Sequence, residues 1–176
     1  RDDGYFLYVG NMEKRKGVEI LLAAYALYKK RGGEKILVLA GKQNDNYIRQ
    51  QINRAMLLTK DIEYMNYVSQ KKKNELYAHC SCFIFPSKAE GFGMPVVEVM
   101  QFNKPIIVGN LTIYDEIVGD CVNRFKMSDN FDVEALANAM ENYDSNVDTA
   151  AYNRVLDSYA PEVLGEKLKK FFLSIR

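Results

Sequence analysis

Short apolar runs alternate with longer amphipathic stretches along this chain. Tyr5–Val9 is a compact apolar and aromatic run ending at Gly10, the pattern of a buried strand. Val18, Leu21, Leu22 and Tyr25 then follow the i, i+3, i+4, i+7 spacing of a helix with one buried face. The stretch "KKRGG" puts cations in the last turn of that helix and glycines just past it. Ile36–Ala40 reads as a second strand closed by Gly41, Asn46–Leu58 as a helix, and Asp61–Asn66 as a third strand. Ser69 is placed to cap a short helix over Gln70–Ala78. Cys82–Phe85 is a fourth strand halted at Pro86, and Pro95–Phe102 a helix with proline in its first turn, where no N–H is needed. Pro105–Val108 predicts a fifth strand and "VNRFKM" a sixth. Three helical stretches follow: one striped by Val133, Leu136, Ala137 and Met140, one around Asn146–Tyr152, and one striped by Leu164, Leu168, Phe171, Phe172 and Ile175.

Strands alternating with helices imply right-handed crossovers and a parallel sheet covered on both faces. The predicted fold is therefore α/β, a Rossmann-like doubly wound sheet, as a single domain over residues 1–176. There are no internal repeats, low-complexity tracts or linker-like segments. The length suits one core burying roughly 70% of the unfolded surface, and 48% hydrophobic with 27% charged residues is ordinary globular composition. A net charge of +1 gives no electrostatic reason to expect nucleic acid as a partner. No apolar run reaches membrane-span length, and the first residues do not read as a signal peptide. Cys80, Cys82 and Cys121 lack zinc-like spacing and sit in apolar, strand-like contexts, so buried free thiols in a reducing cytoplasm are expected. The chain begins almost directly on a strand without a start methionine, which suggests a segment of something longer.

In doubly wound sheets a ligand occupies the crevice at the carboxyl ends of the strands, where strand order reverses. For the order 3-2-1-4-5-6 this crevice lies between strands one and four, flanked here by "GNMEKRKG" and "PSKAEGFGMP". The first loop lacks the G-x-G-x-x-G fingerprint and the chain has no P-loop, which disfavours a nicotinamide enzyme or an NTPase. It offers Lys14, Arg15 and Lys16 before Gly17 at the start of a helix. Two readings stand: a solvated basic turn, or cations placed for a phosphate at a helix N-terminus. In the second loop Glu90 precedes a glycine turn and Glu98 lies near the first turn of the following helix. One reading makes Glu98 a partner of the helix dipole and Glu90 a surface residue. Another makes them two acceptors for a hydroxyl-rich ligand such as a sugar and a ribose. A paired-carboxylate hydrolase is a third, but spacing alone does not fix the separation that chemistry needs.

Four stretches, "YVGNMEKRKGVEILLAAY", "LYAHCSCFIFPSKAEGFGMPVVEVM", "KPIIVGN" and "DEIVGD", together resemble the carboxyl-terminal domain of family 4 retaining glycosyltransferases, one half of the GT-B fold. The match runs from about Tyr5 to Tyr143 in the expected order. The resemblance implies a domain that binds a nucleotide-diphosphate sugar, with no cofactor and no metal. It places Lys16 at the donor diphosphate, together with Gly10, Asn11 and Arg15 of the same loop. It places Glu90, the candidate catalytic residue, at the donor sugar, with Gly91, Phe92 and Gly93 forming a turn whose backbone approaches sugar and phosphate. Glu98 falls at the ribose, and Tyr67 and Val68 at the base pocket. One departure concerns Asn11, where the family often carries arginine: an amide donates a hydrogen bond but no charge, so neutralisation rests more on Lys16, with Lys14 or Arg15 as compensation.

The resemblance further implies transfer to a glycan or lipid-linked glycan acceptor with retained configuration, in the cytoplasm or at the cytoplasmic membrane face. An amino-terminal domain of the same chain would hold the acceptor, so this segment alone would be inactive. Lys71–Lys73 are read as a solvated helix face, with peripheral membrane contact as the alternative. His79 is read as a capping or packing residue, and Asp115-Glu116 as structural placement near the donor. The competing functions are a nucleotide-sugar epimerase of related fold and a non-catalytic α/β interaction module.

Overall fold

The computed structural model describes residues 4–128 and 132–174. Six strands form one wholly parallel sheet: β1 (Phe6–Val9), β2 (Leu37–Ala40), β3 (Ile62–Met65), β4 (Cys82–Phe85), β5 (Ile106–Gly109) and β6 (Asn123–Phe125). Their spatial order is β3-β2-β1-β4-β5-β6, with Phe6 opposite both Leu37 and Cys82. The chain therefore winds outward from β1 to β3, then crosses back and winds the other way from β4 to β6. The four central strands are buried at every position, which is why they read as unbroken apolar runs rather than alternating ones. Edge strand β3 keeps only Ile62 fully buried.

The helices are α1 (Val18–Lys30), α2 (Asn46–Leu58), α3 (Gln70–His79), α4 (Met94–Met100), α5 (Thr112–Ile117), α6 (Asp132–Asn142), α7 (Thr149–Ser158) and α8 (Pro161–Ser174). Right-handed crossovers put α1 and α2 on one face and α3, α4 and α5 on the other. The contacts agree: α1 packs on α6 and α2, and α4 packs on α7. The predicted stripes close these layers, with Val18, Leu21, Leu22 and Tyr25 of α1 and Leu136, Ala137 and Met140 of α6 all buried. Arg31, just past α1, ties the two helices through Asn138 (2.8 Å), Glu141 (3.4 Å) and Glu134. Caps set several starts: Asp45 accepts from the Tyr47 and Ile48 amides, and Ser69 from the Lys72 amide.

The differences from the sequence reading have local causes. Helix α5 was not anticipated, because six residues are too few to show a period and its cap, Leu111, offers no side-chain acceptor. The basic turn Lys14–Lys16 winds into one turn of 3₁₀ helix. The helix expected over Pro95–Phe102 spans Met94–Met100, because Gly93 caps it in the left-handed region at φ 84°. Cys121 lies in the turn before β6, half-buried, and not in a strand, whereas Cys80 and Cys82 are buried and all three thiols are free. In α8, Leu164 is exposed; the side chains of Leu168, Phe171 and Phe172, and Ile175 altogether, lie outside the described residues. No helix of the described residues is long and apolar enough to cross a membrane.

Tyrosine explains how this core tolerates hydroxyls. Tyr8, Tyr25, Tyr77, Tyr114 and Tyr152 are all essentially fully buried. A buried hydroxyl needs a partner, and four of the five have one. Tyr25 shares its one hydroxyl proton between the Lys35 and Asp61 carbonyls and Tyr152 donates to that of Lys104, stitching strand entrances together. Tyr8 and Tyr77 donate at the opposite end, around the crevice described next. The Tyr114 hydroxyl, also at that end, has no partner among the described residues.

Candidate donor-binding crevice

The strand order reverses between β1 and β4, and the loops that follow these strands are pressed together. The Lys88 amide donates to the Arg15 carbonyl at 2.8 Å. Gly17, left-handed at φ 68°, sits so close to Pro86 that a Cβ there would lie 2.0 Å from the Pro86 carbonyl oxygen. Only glycine satisfies both the backbone angle and the approach. The loop is also anchored sideways, since the amides of Gly10 and Met12 donate to the carbonyls of Ala40 and Lys42.

The 3₁₀ turn sorts the three cations. Arg15 points outward to Glu13 (3.0 Å), and the Lys14 ammonium sits 5.0 Å from the centre of the exposed Tyr47 ring. Lys16 points inward. Its side chain is 12% exposed, its ammonium lies 5.2 Å from the Phe85 ring centre, and it meets Glu90 Oε1 at 2.5 Å. Glu90 is only 6% exposed, and Ser87 Oγ donates to the same oxygen. Oε2 of Glu90 has no hydrogen-bond partner among the described residues. Burial, and then the Glu90 charge, push the Tyr8 and Tyr114 phenols well above their ordinary value, so both remain neutral around the carboxylate. The Tyr8 ring stacks on Phe85 beneath this group, with centroids 5.9 Å apart.

Glu98 forms a second cluster, one helical turn into α4. Lys73 Nζ reaches both of its oxygens, at 3.0 and 2.8 Å, and the Tyr77 hydroxyl donates to Oε2 at 3.0 Å. Lys73 and Tyr77 are four residues apart on α3, so they share a face. Burial and the neighbouring Glu98 charge raise the Tyr77 phenol strongly, keeping it a donor. Lys73 therefore departs from the expected solvated lysine face: Lys71 and Lys72 are exposed, while Lys73 turns inward with 19% of its side chain exposed.

The remaining predicted residues are placed less evenly. Gly91 is exposed and Gly93 is buried beside the Tyr114 ring. The Phe92 ring packs edge-on against Tyr159 (4.8 Å between centroids). Asn11 is exposed, and its carbonyl accepts from Tyr8. Gly10 is in extended conformation, close to the loop after β2. Tyr67 and Val68 follow β3, the first three-quarters exposed and the second half-buried. Asp115 pairs with Arg124 at 2.6 Å and His79 contacts the Glu75 carbonyl at 2.8 Å, both at the surface. Sequence reasoning did not single out Ser87, Tyr8, Tyr114, Lys73 or Tyr77 for this site. Only the last two carry a signal that could have found them, the i, i+4 spacing on a short helix. Among the described residues no His, Cys, Asp and Glu side chains converge in the way a metal ion needs. A hollow of about 970 Å³ lies elsewhere, between the turn after α5 and helix α7, and none of the crevice residues lines it.

The sequence model of the glycosyl transferases group 1 family matches residues 1–161. O-antigen chain mannosyltransferase B of Escherichia coli is 37% identical over 122 residues, which is 66% of this chain and 31% of that protein. The chain thus spans about a third of the length of that relative. Among solved structures, Anabaena HepE in complex with UDP and glucose superposes with a TM-score of 0.76 over 98% of this chain and 49% of its own, at 20% identity. The pneumococcal O-GlcNAc transferase GtfA, bound to UDP and GlcNAc, gives 0.75 over 99% and 36%, at 15% identity. At those identities the likeness concerns the fold, the Rossmann-like half of a GT-B glycosyltransferase. With the family model spanning nearly the whole chain, this protein belongs to the glycosyl transferases group 1 family.

Proposed function

We propose that this chain is the donor-binding half of a hexosyltransferase, which moves a sugar from a nucleotide-diphosphate sugar to a glycan or lipid-linked glycan with retention of configuration. The observation that carries this reading is the Lys16–Glu90 pair, 2.5 Å long and nearly buried at the point where the strand order reverses. Breaking the bond between the anomeric carbon and the diphosphate sends its electron pair to the phosphate oxygen and leaves positive charge on the sugar. Lys16 offers a cation where the first charge grows, and Oε2 of Glu90 offers an anion to the second. A fixed ion pair aligned with the charge separation favours the transition state over the ground state. The acceptor hydroxyl then bonds to the anomeric carbon and gives its proton to the departing phosphate oxygen, which has received the electron pair of the broken bond.

Gly10 and Asn11 complete the diphosphate end, Arg15 being turned outward to Glu13, and the backbone of Gly91, Phe92 and Gly93 runs beside sugar and phosphate. Glu98 takes the ribose hydroxyls, and Tyr67 and Val68 border the base. Acceptor contacts come from parts of the protein beyond this domain, so the segment alone binds donor and transfers nothing. The kinship with an O-antigen mannosyltransferase makes mannose the first sugar to test. Calorimetric titration with UDP, GDP and their sugars tests the reading, which predicts binding of at least one nucleoside diphosphate; no binding of any would overturn it. Glu98→Ala is expected to remove most of the preference for a ribo- over a 2′,3′-dideoxyribo-nucleoside diphosphate, a change of about ten- to a hundredfold. An unchanged ratio would remove Glu98 from the ribose site.

A further inference from the structure

The three lysines that open α3 break a local rule. Cations are unfavourable in the first turn of a helix, where the backbone dipole is positive. Lys71 and Lys72 are exposed and relieve this in solvent, but Lys73 turns inward against α4 and loses the rotamer freedom of a long side chain. Such local conflicts concentrate at functional sites. Its partner is Glu98, so the inference rests on the ribose role given to Glu98 above.

A carboxylate has about four lone-pair positions and an ammonium has three N–H donors. Lys73 bridges both oxygens of Glu98, and Tyr77 takes a second position on Oε2. That leaves one acceptor position, on Oε1, and one donor, the third N–H of Lys73, side by side. Both side chains keep a path to solvent, at 30% exposure for Glu98 and 19% for Lys73. Tyr77 has its hydroxyl committed to Oε2 and cannot supply another donor. A neighbouring acceptor and donor match a vicinal diol, in which one hydroxyl donates and the oxygen of the other accepts. A lone carboxylate would offer two acceptors and no donor.

We propose that Lys73 is a specificity-determining residue that contacts the donor ribose directly. Glu98 Oε1 accepts from one ribose hydroxyl while the Lys73 ammonium donates to the oxygen of the other. Lys73 lies six residues after Tyr67, on the helix that follows the base-pocket segment, which suits a contact with the sugar next to the base.

The test measures the affinities of the wild-type chain, Glu98→Ala, Lys73→Met and Lys73→Arg for three probes, in UDP and GDP series: the ribonucleoside diphosphate, its 2′,3′-dideoxy form, and inorganic pyrophosphate. Thermal melting is recorded alongside. Lys73→Met is expected to weaken ribonucleotide binding about ten- to a hundredfold, with dideoxy and pyrophosphate binding unchanged and with partial rescue in Lys73→Arg. A purely structural lysine would lower the melting temperature and all three affinities together, which would overturn the proposal. So would an unchanged ribo-to-dideoxy ratio in Lys73→Met when Glu98→Ala abolishes that preference, leaving the Glu98 assignment intact. Retention of the preference in Glu98→Ala would instead overturn the ribose site itself, and the Lys73 proposal with it.

Discussion

Gly17→Ala is expected to lower the melting temperature of the chain by roughly 6–12 °C, the equivalent of about 3 kcal/mol at this size. Two effects combine. Alanine in the left-handed region costs roughly 1–2 kcal/mol by itself. In addition, a Cβ placed 2.0 Å from the Pro86 carbonyl oxygen cannot be accommodated without driving the β1 and β4 loops apart. The neighbour is backbone rather than a flexible side chain, so the strain has no local escape. The separation would also break the bond from the Lys88 amide to the Arg15 carbonyl and pull Lys16 away from Glu90. Differential scanning calorimetry is the measurement, with Gly32→Ala as a control, because that left-handed glycine has open space around its missing Cβ. The control incurs the backbone cost alone. If Gly17→Ala melts no lower than Gly32→Ala, the two loops are not held as described.

Lys16→Ala is expected to damage stability and ligand binding together, and a double variant separates them. Removing the lysine leaves a carboxylate 6% exposed whose one remaining hydrogen bond among the described residues comes from Ser87. Stranding one member of a buried ion pair costs about 3–5 kcal/mol, whereas removing both members is often close to neutral. Lys16→Met with Glu90→Gln should thus regain most of the stability lost by Lys16→Ala, read by urea denaturation. It should not regain nucleotide affinity. Nucleoside diphosphate binding is expected to stay at least tenfold weaker than wild type, while nucleoside binding changes little, because the role proposed for the missing cation is toward the phosphates alone. Equal losses for nucleoside and diphosphate would contradict the phosphate role of Lys16.

Most of the architecture is legible in the sequence, because burial on both sheet faces forces strands such as "LVLA" and "CFIF" to be continuously apolar. Amphipathic α1 and α6 are equally plain, since each buries one face. Helix α5 is not, since six residues carry no period. The loop motifs locate the crevice only for the order β3-β2-β1-β4-β5-β6, which the structure has; the alternation of elements fits a flavodoxin-like order equally well. Side-chain partnerships are another matter. Nothing in "KRKG" says that Lys16 turns in while Lys14 and Arg15 turn out; the 3₁₀ turn decides it. Likewise "KKK" reads as a uniform charged face until α4 brings Glu98 against one of the three. The Tyr114 hydroxyl, unpartnered among the described residues, looks in sequence like any other tyrosine of a tyrosine-rich chain.

In the proposed binding mode one nucleoside diphosphate lies along the crevice with phosphates at Lys16 and ribose at Glu98. Amide chemical-shift mapping of the labelled chain during titration with UDP and with GDP tests it most directly. At least one of the two is expected to perturb Lys16, Gly91–Gly93, Lys73 and Glu98 together, with a single dissociation constant across all of them. Perturbations confined to the hollow lined by Asp144, Tyr152 and Arg154, or none with either nucleotide, would contradict it.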